Sequence, residues 1–190
     1  MPENPFSCPI EVIRSRRKTV SLELKNDGRL LLRAPLRCTK RELSDFVERN
    51  RGWIEQKLRE NEERRKALAA IPKLNEDELH ALQRRGRVVF PARCAYFAPM
   101  LGVRFGRISV RKQRTKWGSC SAKGNLNFNC LLLLASESVL DYVVVHELCH
   151  LREMNHSKRF WALVEELCPD WREARRWLRM NGGALMARLP

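Results

Sequence analysis

Residues 141–161 read DYVVVHELCHLREMNHSKRFW and hold three of the chain's four histidines. His146 and His150 bracket Glu147 in an H-E-x-x-H arrangement, and His156 follows six residues after His150. An α-helix turns about 100° per residue, so positions i and i+4 lie almost one above the other. Both imidazoles can then reach one ion. Glu147, one step round, can reach a water beside that ion. Two histidines and a glutamate on one helix face are the zinc-hydrolase arrangement. A third ligand must come from elsewhere. His156 is the nearest source, and a carboxylate on the following helix, Glu165 or Glu166, is the other common solution.

The helix itself is predicted to start at Ser136. Val139, Val143, His146 and His150 share one face, and Leu140, Val144 and Val145 add apolar residues on others. A helix apolar nearly all round is a buried one. Burying histidines there without partners is costly, and coordination satisfies them. Catalytic zinc takes three protein ligands and one water, whose pKa falls to about 7. Glu147 is then the general base, taking the water's proton during attack on a carbonyl or phosphoryl centre and passing it to the leaving group. The H-E-x-x-H-x5-H count equals that of metzincins, but Glu153 stands where metzincins carry glycine, so the chain follows a different path after the helix.

The remaining sequence predicts an α+β chain of one domain, residues 1–190, with a β-hairpin and long helix over 9–72 and a catalytic core over 75–190. IEVIRS, TVSLEL and RLLLRAP are β-rich runs, and Asn26-Asp27-Gly28 is a hairpin turn signal, so 9–34 reads as an antiparallel unit. Arg14, Arg16, Arg17 and Lys18 read as a solvated turn. Thr39 and Glu42 form a capping box that opens a helix running to Pro72, with a charged, solvated second half. Asn75 and Glu78 open another, in which His80 reads as a surface residue. Val103–Lys112 alternates as a strand does. Trp117-Gly118-Ser119-Cys120 reads as a turn and Asn125–Asn129 as a short strand. Ser157 caps a helix, and Pro169 and Asp170 start the last. There Arg172, Arg175, Arg176 and Arg179 form a basic stripe beside Trp171, Ala174 and Leu178, best read as a solvated face.

The charge of +15 favours polyanionic partners such as nucleic acid, nucleotides or acidic substrates. No run of 18 apolar residues exists, so no membrane partner is expected. The N-terminal MPENPFSCPIEVIRSRRK lacks the pattern of a secretory signal. Seven cysteines, an odd number without framework spacing, read as reduced thiols in a cytoplasmic protein. Cys120 has no acid-base partner specified and is not read as a nucleophile or ligand. Composition leaves the oligomeric state undetermined.

RTKWGSCSAKGNLNFN, followed by LDYVVVHELCHLREMNHSKRFW and PDWREARRWL, resembles the YgjP-like metallopeptidase family, related to the SprT-like and WLM metalloproteases. RKTVSLEL, LLLRAP and RGWIEQKL extend that resemblance over nearly the whole chain. It implies a compact zincin-like catalytic domain with the active-site helix beside a small mixed or antiparallel sheet. It also implies Zn2+ as cofactor, His146, His150 and His156 as its ligands, and Glu147 as general base. A peptide or protein substrate follows from the same resemblance. Nucleotide pyrophosphatase activity is a second implication, since members of the family have been described so. Apart from the resemblance, the charge of +15 leaves a third reading, a basic nucleic-acid-associated module with a structural zinc. Zincins commonly bind an extended peptide along a strand beside the helix, a part Asn125–Asn129 could take. Arg114, Lys116, Asn127 and Asn129 are the candidate substrate or oxyanion contacts.

Overall fold

The computed structural model describes residues 6, 8–25 and 27–190. The chain forms two compact units, 1–70 and 71–190. Among the described residues are six strands, six α-helices and one short 3-10 helix. Residues 1–5 and 7, where the sequence argues against a secretory leader, lie outside the described residues. No helix is long and apolar enough to cross a membrane, and no cysteine is paired, among the described residues.

In the first unit, β1 (Ile10–Ser15), β2 (Ser21–Leu24) and β3 (Leu30–Pro35) form a sheet of order β1-β3-β2. The expected antiparallel unit is instead mixed. β2 and β3 pair antiparallel, but β1 runs parallel to β3. The reason lies in composition: Leu30, Leu31, Leu32 and Ala34 are all buried, so the most apolar run takes the central place and the other two flank it. The β2–β3 turn uses Gly28 at φ 87, a conformation only glycine adopts freely; Asn26 of that turn signal lies outside the described residues. Arg14 is more than a solvated turn residue, because its guanidinium donates to the carbonyls of Pro35 and Leu36.

Thr39 and Glu42 form the predicted capping box of α1 (Lys40–Arg49). The single long helix expected from there to Pro72 is broken. Asn50 leaves the helical region at φ −103, ψ 11 and donates its side-chain amide to the Phe46 carbonyl. That contact replaces a continuing helical bond, as asparagine side chains do at helix ends. α2 (Arg51–Ala69) follows.

The second unit carries the histidines. α3 (Glu76–Leu101) begins at the predicted Asn75–Glu78 box and stops at Gly102, whose φ of 62 closes the helix. β4 (Ile108–Arg111), β5 (Gly118–Cys120) and β6 (Leu126–Asn129) form a mixed sheet of order β4-β6-β5. Two expectations change here. The strand foreseen over 103–112 shrinks to four residues, because its partner β6 is only four residues long. The Trp117–Cys120 turn is for the most part strand β5, paired antiparallel to β6 with Gly118 opposite Phe128. β6 is therefore the central strand. Its backbone is engaged on both sides, so it cannot accept a peptide by strand addition; β5 is an edge.

α4 (Glu137–Cys149) packs between α3, α5 (Lys158–Leu167), α6 (Trp171–Ala187) and β5. It is buried nearly all round, as its sequence requires: Val139, Leu140, Val143, Val144, Val145 and Leu148 are all inside. Full burial of such a side chain stabilises by about 1.5–3 kcal/mol each, so the helix is an anchored element rather than a surface one. Arg93 of α3 clamps its first turns, with Nε 2.6 Å from Asp141 Oδ1 and Nη1 3.3 Å from Glu137.

Candidate metal centre

α4 delivers His146 from its last turn and His150 from its C-terminal cap, while the 151–157 loop returns His156 to the same place. One ring nitrogen from each of the three lies within 4.8 Å of the others. His146 Nε2 and His156 Nε2 are 3.0 Å apart. Two neutral imidazoles meeting lone pair to lone pair repel unless a proton or a cation sits between them. His150 donates through Nδ1 to the Glu153 carbonyl at 3.1 Å, which turns Nε2 and its lone pair toward the cluster. Glu153 thus stands at the metzincin glycine position without a left-handed backbone, since no non-glycine residue among those described has positive φ. Phe160 and Trp161 of α5 wall the rings, Phe160 lying 4.9 Å from His146 and 4.6 Å from His150.

Burial pushes the His146 imidazole down to about 3, with His150, His156 and Arg175 adding to the effect. His150 is also lowered by burial, against its bond to Glu153. Both rings therefore stay neutral, the form that binds a metal. Three ring nitrogens within 4.8 Å of one another fit a divalent ion. Of the alternative third ligands, Glu165 is paired instead with Arg172 at 2.6 Å, and Glu166 lies outside the cluster. His80 is exposed beside Glu76, as expected of a surface residue.

Glu147 is buried, and burial pushes its carboxyl up to about 8, with Lys116 pulling it down. It shares with His146 a cleft of about 420 Å³ whose walls include Lys116, Gly118, Tyr142, Arg175 and Arg179. β5 brings Gly118 directly against the carboxylate. A Cβ added at Gly118 would lie 2.6 Å from Glu147 Oε1 and 2.7 Å from its Cγ. The atoms in the way belong to one side chain and not to backbone, so Gly118→Ala is expected to fold, at some cost in stability, while displacing the whole Glu147 side chain. Since an ångström of misplacement can cost about 100-fold in rate, we expect Gly118→Ala to lose about 10- to 100-fold in hydrolysis with metal content unchanged. Equal turnover in the two proteins would show that this contact positions nothing.

The four candidate substrate contacts separate. Lys116 lines the cleft. Arg114 instead donates to the Pro190 carbonyl. Asn129 is fully buried and belongs to the scaffold: its amide donates to the carbonyls of Gln113 at 2.7 Å and Lys116 at 3.0 Å, and its oxygen accepts from Leu131 N–H. It shapes the loop that carries Lys116 and cannot contact a substrate. Asn127 faces a different pocket, with Arg107, Arg111 and Ser119. Arg175 and Arg179 are exposed, as a solvated face requires, and they also line the cleft. Their spacing of four did place them on one face of α6; only the packing of α6 on α4 shows what that face borders. Cys149, fully buried inside the motif, has its thiol pushed up to about 12 by burial and is inert.

A family model described as a YgjP-like metallopeptidase domain matches residues 18–83 and 72–181, most of the chain. No curated protein matches it. Among solved structures, the crystal structure of the metallopeptidase zymogen of Pyrococcus abyssi abylysin is similar at 24% identity and a TM-score of 0.44, covering 48% of this chain and 94% of that one.

Proposed function

The chain belongs to the YgjP-like metallopeptidase family, and from that premise we propose that it is a zinc-dependent peptidase in which Glu147 is the general base. The observation that carries the reading is the meeting, in one cleft, of a three-imidazole cluster with a buried carboxylate. His146, His150 and His156 would hold the ion, and an all-nitrogen donor set suits zinc better than calcium or magnesium. When bound, zinc supplies Lewis-acid polarisation of a carbonyl and of the attacking water. The protein does the rest. Glu147, buried at the cleft, accepts the water's proton and returns it to the leaving amine. Gly118 leaves room for that carboxylate, and the Glu153 carbonyl holds His150 in the ligating orientation. An extended peptide would align along β5, the sheet edge beside α4, by main-chain hydrogen bonds.

The cations of the cleft favour a second reading, hydrolysis of a nucleoside triphosphate at the same centre. One experiment tests both. Zinc content of the purified protein is measured first, then cleavage of casein-like peptides and of UTP in parallel. Stoichiometric zinc with peptide cleavage is the expected result. Absence of stoichiometric zinc would overturn the metal assignment, and turnover of UTP alone would overturn the peptidase assignment.

A further inference from the structure

The four arginines of the α6 stripe do not share one fate. Arg172 has a carboxylate partner, Glu165, at 2.6 Å. Arg176, exposed like the other three, does not line the cleft. Arg175 and Arg179, one turn apart, do line it, and Lys116 lies on the wall with them. Among the described residues none of these three cations has an ion-pair partner within 4.0 Å, and Glu147 is the only acidic residue of the lining. Arg175 is also held in place. Its guanidinium lies 5.1 Å from the Trp161 ring centre and 6.0 Å from that of Trp171, and the two indoles stack at 4.3 Å. An arginine fixed over aromatic faces gives up less freedom on pairing than a solvated one. The neighbouring lining is apolar: Trp117, Tyr142, Val143 and Leu178. A surface built only for solubility would have no reason to gather unpaired cations at the one cleft that holds the base.

We propose that Arg175, Arg179 and Lys116 form a carboxylate-recognition site that makes acidic peptides the preferred ligands of this cleft. The proposal rests on the peptidase reading and names its substrate class. Guanidinium groups pair with carboxylates bidentately, which fixes orientation as well as affinity. The carboxylate has two possible sources in a peptide, an Asp or Glu side chain or the free C-terminus. Both present the same charge and geometry to Arg175 and Arg179, and they differ only in where along the peptide the hydrolysed bond would lie.

The test is direct binding to the zinc-loaded Glu147→Gln protein, so that no turnover intervenes. Three peptides of one backbone sequence are compared: one with an internal glutamate and an amidated end, one neutral with a free C-terminus, and one neutral and amidated. The expected result is at least tenfold tighter binding of one or both carboxylate peptides over the neutral one, on the order of what several weak charge pairs supply together. The gap should narrow as salt is raised. It should fall at least threefold with Arg175→Gln, and likewise with Arg179→Gln or Lys116→Gln, which leave the indole stack untouched. Arg176→Gln should not move it. Which carboxylate peptide gains identifies the source. Equal binding of all three peptides overturns the proposal, as does a preference that survives all three cleft variants, or a UTP complex with no gain for either carboxylate. Cleavage by the wild-type zinc protein is scored separately. Tight acidic binding without any cleavage sinks the peptidase reading alone, whereas cleavage without preference sinks the carboxylate site alone.

Discussion

Glu147→Gln is expected to lower hydrolysis by about 10² to 10⁴, the usual contribution of a positioned proton acceptor, which corresponds to roughly 3–5 kcal/mol of transition-state stabilisation. Glutamine keeps the shape of the side chain and its place against Gly118, but it cannot accept the proton. The zinc content should not change, because the three imidazoles are untouched. Stability should not fall either. Glu147 is 6% exposed and its carboxyl is pushed up to about 8 by burial, so above the ordinary carboxylate range the unfolded chain is favoured by ionising it, and the group is a burden on the fold rather than a support. The neutral amide removes that burden. The measurement is therefore threefold: turnover, metal content and thermal midpoint on the same preparation. Loss of turnover with the other two unchanged is the expected pattern. A variant with full turnover would remove Glu147 from the mechanism, and one that loses zinc would recast it as part of the metal site.

The second large effect concerns the third ligand. His156→Ala is expected to weaken zinc binding by at least the roughly 100-fold that loss of a supporting second-shell partner can already produce, and to abolish turnover at limiting metal. His156 is exposed and lies in a loop, so its removal creates no core cavity. The metal-free protein should then unfold at an unchanged temperature. That separates ligation from folding more cleanly than His146→Ala, which would disturb a buried helix. Glu165→Ala is the companion: Glu165 is an exposed partner of Arg172, and zinc affinity should be unaffected. If Glu165→Ala released the metal while His156→Ala retained it, the carboxylate on α5 would be the ligand after all.

Much of this arrangement was legible in the sequence, for reasons that are local. The capping boxes at Thr39–Glu42 and Asn75–Glu78 and the cap at Ser157 are contacts within three residues, and each is where the spacing puts it. The burial of α4 follows from apolar residues on every face. What escaped the sequence is what depends on distant partners. β5 is three residues long and opens with glycine, so it has no strand signal of its own; it becomes a strand only because Phe128 and its neighbours in β6 pair with it. The central position of β6 is likewise a matter of sheet order. Asn129 looked like a polar group free for a substrate because its carbonyl partners, Gln113 and Lys116, lie more than a dozen residues upstream. Arg175 and Arg179 are solvated, as the stripe suggests, but a helical wheel shows only that a stripe exists and not that it borders a cleft.

The contact between Gly118 and Glu147 bears on how other chains with this motif should be judged. The histidines and glutamate of H-E-x-x-H can be recognised in any sequence, and they alone would be read as an intact enzyme. In the proposed mechanism the position of the glutamate depends also on an absence, the missing methyl group on a strand some thirty residues earlier. A chain with every ligand and the glutamate intact, but with a side chain at the position equivalent to 118, would be expected to hold its metal and turn over slowly. Such a protein would be a metal-loaded but crippled enzyme, and its weakness would be invisible to any inspection confined to the motif. On the proposed mechanism, the residue at 118 would be a one-position criterion for telling a fully active centre from a weakened one.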